Sequence, residues 1–260
     1  MTASSAVDFT RVTETWGLPA SPEQLSMAYC RYKTAGDLAE GKAVLEIGCG
    51  SGMGLAYLAQ RASRVVGGDP TAALLAEAGE HLPSMELVQL SADHLPFEAK
   101  TFDVVLMLEM IYYVEDLEGA VAEARRVLRP GGRLFICLPN RARPDFNPSP
   151  YSVRYPSAGE LQTSLERHGF SVQVFGGFPT EPTSSRDRVL GPVRHVAVRL
   201  HLIPRSMRMK ALIKRMLYGR LPRLGAVAEG MASYPPLEGL DPAGDQVSRF
   251  KNLYLIGSVS

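Results

Sequence analysis

Residues 42–54 read Lys42-Ala43-Val44-Leu45-Glu46-Ile47-Gly48-Cys49-Gly50-Ser51-Gly52-Met53-Gly54. A short apolar run that ends in an acid and then in alternating glycines has the form of a buried strand turning sharply into a helix. Glycine adopts positive φ at little cost, and without a Cβ it lets a ligand come close to the backbone. The dinucleotide fingerprint G-x-G-x-x-G fails in both registers. Counted from Gly48 its last glycine falls on Met53, and counted from Gly50 it falls on Leu55. What stands here is E-x-G-x-G-x-G, with Glu46 placed to face a cation. A nicotinamide oxidoreductase is therefore disfavoured.

Outward from this turn the punctuation is regular. Residues 53–62 read as helix, Arg64–Asp69 as a second strand, 71–81 as helix and 86–91 as a third strand. Phe102–Leu108 is a fourth, apolar enough to be buried on both faces. Helix over 116–128 stops at Arg129-Pro130-Gly131-Gly132, which turns into a strand over 133–138. A helix over 157–168, closed by Gly169, precedes a strand over 171–176, and the last strand-like run starts at Phe250. Alternating strands and helices predict an α/β fold with a doubly wound, mainly parallel, seven-stranded sheet. Residues 1–40 form an N-terminal helical cap, 41–179 with 250–260 the core, and 180–249 a basic, mostly helical insertion before the last strand.

Composition agrees with a soluble globular enzyme-sized unit: 260 residues, 45% apolar, 28 Lys+Arg against 27 Asp+Glu. The three cysteines, Cys30, Cys49 and Cys137, have no zinc-knuckle or redox spacing, so a reduced, cytoplasmic setting without a metal is expected. Residues 1–8 lack the basic start and apolar core of a signal peptide, and no apolar run is long enough to span a membrane.

Ligands in doubly wound folds bind beyond the C-terminal strand ends, where chain direction reverses. The acids that end strands one to four are Glu46, Asp69, Asp93 and Glu109. Asp69 can accept hydrogen bonds from two ribose hydroxyls, and Asp93 can read an exocyclic amine. These residues resemble the class I S-adenosylmethionine-dependent methyltransferases, with a Rossmann-like fold. Val44–Gly52 resembles the family's first motif, Gly68-Asp69 its second, and Ser91–Phe97 the adenine-side motif. Phe102–Val105 resembles its fourth strand and Arg126–Gly132 the turn before its fifth.

The resemblance implies S-adenosylmethionine as cofactor, with S-adenosylhomocysteine as product. It places Glu46 and the Gly48, Cys49, Gly50 and Gly52 backbone at the methionine part, and Asp69 with Pro70 at the ribose. Asp93 with His94 or Leu95 falls at the adenine, and Leu108 with Glu109 beside the methionine tail. The reaction implied is methyl transfer to an N, O or C nucleophile of a small-molecule acceptor, lipid-linked or anionic acceptors included. The alternative is a non-catalytic cofactor-binding module that acts through its basic insertion.

Oxygen and carbon nucleophiles usually surrender a proton, and Glu109, Tyr112, Tyr113, Tyr151 and Tyr155 are the candidate bases, with Glu109, Tyr113 and Tyr155 foremost. Tyr113 stands where many relatives carry a histidine, so a histidine base at that position is absent. Between residues 186 and 223 there are eleven Lys/Arg and one acid, Asp187, against 17 bases and 26 acids elsewhere. Within 205–220 the apolar Met209, Leu212, Ile213, Met216 and Leu217 fall at helical spacing. This basic amphipathic stretch suits a lid over the substrate pocket, an anionic membrane surface or an acidic carrier protein. Nucleic acid is disfavoured, since the basic run, with Tyr218 its single aromatic of the Phe, Tyr or Trp type, is not an aromatic-interleaved stripe.

Overall fold

A computed structural model describes residues 9–11, 14–181 and 221–259. Its sheet is built from β1 (Ala43–Ile47), β2 (Arg64–Asp69), β3 (Glu86–Gln89), β4 (Phe102–Leu108), β5 (Leu128–Pro139), β6 (Phe170–Pro179), β7 (Glu238–Gly239) and β8 (Phe250–Val259). The helices are α1 (Pro22–Ala39), α2 (Leu55–Ala59), α3 (Ala72–His81), α4 (Leu117–Val127) and α5 (Ala158–Arg167). Strand order is β3-β2-β1-β4-β5-β8-β6-β7. Strands β1 to β5 pair in parallel, and β8 runs antiparallel to both β5 and β6. Seven strands are expected from the sequence. The eighth is the two-residue β7 on the β6 edge, too short to leave a periodic signal.

Side-chain alternation along the strands builds a core on each face of the sheet. Leu45, Ile47, Val105 and Met107 join the buried residues of α4 and α5 on one side. Val44, Val104, Leu106 and Phe135 join those of α1 and α2 on the other. The α1 start is fixed by a capping box, Ser21 with Gln24, and by Pro22 at its first position. The expected turn at Arg129–Gly132 is an excursion within β5. Register jumps there, with Phe102 opposite Leu128 and Val104 opposite Arg133.

The order reverses between β1 and β4, so the C-terminal ends of these two strands open onto a crevice. From Leu221 to Leu237 the chain is an extended strap with no α-helix among its residues. Leu224 exchanges backbone hydrogen bonds with the 17–18 segment, and the Val227 N–H donates to the Met53 carbonyl. Glu229 pins the strap by accepting from the Tyr29 and Tyr57 hydroxyls at 2.6 and 2.7 Å. The amphipathic stretch read over 205–220 lies outside the described residues, and the described part of the insertion from Leu221 to Leu237 carries no helix. Its Pro and Gly content (Pro222, Gly225, Gly230, Pro235, Pro236) explains why.

Candidate active site

The glycine turn begins directly after β1. Gly48, Gly50 and Gly52 all take positive φ. A Cβ on Gly48 would also sit 2.7 Å from the Met110 Cβ, so this position is closed to other residues by sterics as well as by dihedral. Asp69, at the end of β2, closes the turn from the side. Its Oδ2 accepts from the Gly50 N–H and its Oδ1 from the Thr71 N–H, both at 2.9 Å. An ionised carboxylate has about four acceptor sites, so each oxygen keeps capacity for another donor. Burial pushes the Asp69 carboxyl upward, opposed by these backbone donors.

Glu46 lies beneath the turn rather than on the cavity wall. It is buried near the C-terminal end of β1, and Oε1 accepts from the Tyr32 hydroxyl at 2.7 Å. Its Oε2 is a buried oxygen without a hydrogen-bond partner among the described residues. Burial raises its pKa to about 7, against the pull of the Tyr32 hydroxyl and the Arg31 charge. The N-terminal segment covers the turn from outside, where Trp16 donates from Nε1 to the Ser51 carbonyl at 2.7 Å and stacks on His81.

Glu109 follows β4 in the left-handed region, at φ 58. A non-glycine residue held there is conformationally costly, as is common where a side chain must be aimed. The carboxylate accepts from three side chains. Tyr112 donates to Oε2 at 3.2 Å, and Asn252 Nδ2 and Cys137 Sγ donate to Oε1 at 3.1 and 3.7 Å. Burial raises its pKa, while the Arg31 charge lowers it.

A cavity of about 940 Å³ joins these features. Gly48, Cys49, Gly50, Asp69, Pro70, Leu108 and Glu109 line it together with Tyr112, Tyr113, Tyr151 and Tyr155. The tyrosines form a wall: Tyr112 stacks on Tyr155 at 4.4 Å between centroids and leans on Tyr113 at 4.5 Å. Tyr113 shares a 2.8 Å hydrogen bond with the Ser149 hydroxyl, and the Tyr155 hydroxyl accepts from the Ser149 N–H. Burial pushes both hydroxyls up, Tyr155 to about 12. Among the described residues two cations reach the cavity, and each has an acid beside it: Arg31 with Glu14 at 3.1 Å and Arg143 with Asp145 at 3.5 Å.

Of the residues expected from sequence, Gly52 stands behind the turn against Ala78 and Leu82, off the cavity wall. Asp93 and His94 are exposed in a tight turn after β3, where Asp93 bonds the Ser91 hydroxyl and the His94 N–H donates to the Ser91 carbonyl. They too lie outside the cavity lining. Arg31, Tyr32 and Asn252 are additions, reached through α1 and β8.

This arrangement, a glycine turn after β1, an acid after β2 and a further acid after β4 around one crevice, defines a cofactor-binding α/β protein of the class the sequence resembles. Residues 45–136 match the family model described as "Methyltransferase domain". The chain is 32% identical over 186 residues to a protein of Mycobacterium ulcerans named as a phthiotriol/phenolphthiotriol dimycocerosates methyltransferase, covering 68% of this chain and 67% of that one. It is 35% identical over 139 residues to a protein of Mycolicibacterium smegmatis named as an S-adenosylmethionine-dependent methyltransferase, covering 51% of this chain and about half, 53%, of that relative's length. A solved S-adenosylmethionine-dependent methyltransferase of Thermotoga maritima shares the fold, with TM-score 0.60, 17% identity and 92% of each chain covered. The chain belongs to the class I S-adenosylmethionine-dependent methyltransferase family.

The residues fit that family's cofactor. Asp69 keeps spare acceptor capacity on the cavity lining, and beneath the turn Glu46 Oε2 and the Ser51 hydroxyl are buried without a hydrogen-bond partner among the described residues. The carboxylates of Asp69 and Glu109 on the cavity lining suit a ligand that carries cationic sulfur and nitrogen. Among the described residues no helix is long and apolar enough to cross a membrane.

Proposed function

We propose that the protein transfers a methyl group from S-adenosylmethionine to a small-molecule acceptor held between Glu109 and the tyrosine wall. The observation that carries this reading is the shared cavity: the glycine turn and Asp69 open into the same space as Glu109, Tyr112 and Tyr155. When bound, the cofactor supplies an electrophilic methyl group on a sulfonium. The chain's own task is then alignment, which supplies roughly 7–11 kcal/mol of such barriers.

Asp69 and the Gly48–Gly50 backbone hold the cofactor, and Leu108 and Pro70 shield it from solvent. Where the acceptor's nucleophile carries a proton, Glu109 takes it at Oε2, which has one donor, Tyr112, among the described residues. A carboxylate whose pKa is raised by burial suits that role. Tyr113 and Tyr155, tied to Ser149 with their hydroxyls pushed up, serve better as wall and loop anchors than as bases.

The lining favours a neutral acceptor over an anionic one, because Arg31 and Arg143 each face a carboxylate. A lipid-linked acceptor is supported by the aromatic wall, by the cavity's volume at the upper end of small-ligand pockets, and by the name of the M. ulcerans relative. The basic run over 186–223 supports peripheral contact with an anionic membrane near that acceptor.

The test is incubation of the full chain with S-adenosylmethionine and panels of neutral hydroxylated lipids, hydroxyaryl compounds and their carboxylated analogues, reading S-adenosylhomocysteine by mass spectrometry. Turnover on neutral acceptors supports the reading. Tight cofactor binding with no turnover on any acceptor favours the non-catalytic alternative.

A further inference from the structure

Asn252 lies on β8, the antiparallel strand that completes the sheet beyond β5, and is 4% exposed. It is opposite Pro139 on one side and Gly177 on the other, so the backbone delivers its side chain to the strand ends where Glu109 sits. Its Nδ2 donates to Glu109 Oε1 at 3.1 Å, and it lines the same cavity. Its Oδ1 has no hydrogen-bond partner among the described residues. A buried amide that satisfies one half of its polar capacity on a carboxylate and leaves the other half empty is a poor stabiliser of a strand, where an apolar residue of the same size avoids the loss.

Building on the reading of Glu109 as the proton acceptor, we infer that Asn252 is a positioning residue: its amide fixes the Glu109 carboxylate on the acceptor side of the cavity and favours its ionised form. Glu109 needs such a restraint. Its backbone is at positive φ, and its other side-chain donors are the longer Tyr112 contact and a thiol at 3.7 Å. The charged and titratable groups facing Glu109 come from every neighbouring element. Arg31 of α1 favours its ionisation and Glu14 of the N-terminal segment opposes it. Tyr112 and Tyr113 follow β4, Cys137 is on β5, Tyr155 closes the loop and Tyr254 accompanies Asn252 on β8. Among them, Asn252 gives Oε1 its shortest side-chain donor, and it carries no charge of its own.

The experiment is carboxyl ¹³C NMR of the full chain labelled at glutamate side chains, titrated from pH 4 to 9, with the Glu109 resonance assigned by its loss in Glu109→Gln. In Asn252→Leu the Glu109 midpoint should rise by about one to two pH units, the shift expected when a carboxylate loses one charge-assisted hydrogen bond. Asn252→Ser, smaller and more easily accommodated, gives the same readout if the leucine variant does not fold. With an active acceptor in hand, the acid limb of the kcat/KM profile should move upward by the same amount. A Glu109 midpoint within about 0.3 unit of wild type in a folded Asn252 variant overturns the inference, whether or not the protein turns over. Failure of every acceptor to react, with the midpoint still shifted, counts against the proposed function and leaves the positioning role standing.

Discussion

Replacing Glu46 by Gln should stabilise the ligand-free protein at pH 8 by about 3 kcal/mol and leave its stability near pH 4 almost unchanged. Glu46 is 1% exposed, and burial lifts its pKa from the ordinary 4.5 to about 7. A group whose folded pKa lies above its unfolded one binds protons more tightly in the folded state. Its stabilising share is complete below pH 4.5 and is lost as pH rises through 7. At 1.36 kcal/mol per unit, the interval corresponds to about 3 kcal/mol of folding free energy that glutamine does not lose. Glutamine keeps an oxygen for the Tyr32 hydroxyl, which donates at 2.7 Å, and matches the volume of the site. For a chain of this size the gain is roughly 6–12 °C in Tm at pH 8. Urea unfolding of both proteins at half-unit steps from pH 4.5 to 8.5 gives the difference curve. Asp69 and Glu109 also titrate upward, but they are present in both proteins and largely cancel. A difference that is flat across this window would refute the claim that a buried, proton-binding Glu46 underlies the turn.

Other perturbations test neighbouring parts of the site. Asp69→Ala removes the carboxylate at the end of β2 and should weaken S-adenosylmethionine binding by roughly 1–3 kcal/mol, read by calorimetry; unchanged affinity would remove Asp69 from the cofactor site. Gly54→Ala places a Cβ 1.8 Å from the Tyr32 ring, so it should displace the ring from Glu46 and destabilise the fold by about 1–3 kcal/mol, measured by urea unfolding. Trp16, the single tryptophan, donates to the Ser51 carbonyl, so its fluorescence should change on cofactor binding; an emission spectrum indifferent to a saturating ligand would show that the turn and the N-terminal segment are uncoupled. Glu229→Ala removes the acceptor that Tyr29, Tyr57 and Arg61 share and should speed proteolytic cleavage within the 221–237 strap, with cleavage elsewhere unaltered.

The parts legible in the sequence are those whose function depends on neighbours in the chain. Gly48, Gly50 and Gly52 announce a turn because three residues of backbone must take positive φ together, and Asp69 and Glu109 announce themselves by ending apolar runs. Asn252 gives no such signal. It is one polar residue in a strand, and only the placement of β8 between β5 and β6 brings it, 143 residues away in sequence, to Glu109. Arg31 and Tyr32 are equally silent, since the α1 pattern assigns them to a helix without saying that the helix crosses the turn. Asp93 and His94 show the opposite case. Their motif resembles the adenine side, yet in the structure they form an exposed turn held by Ser91, off the cavity lining. The strap escapes the pattern because proline and glycine impose no period.

The central claim is that the glycine turn and Asp69 hold S-adenosylmethionine. Calorimetric titration of the full chain with S-adenosylmethionine, S-adenosylhomocysteine and NADH in parallel tests it most directly. The account predicts saturable one-to-one binding of both sulfur ligands in the micromolar range and no heat from NADH beyond dilution. Silence from both sulfur ligands with a folded protein, or binding of NADH in their place, would contradict it.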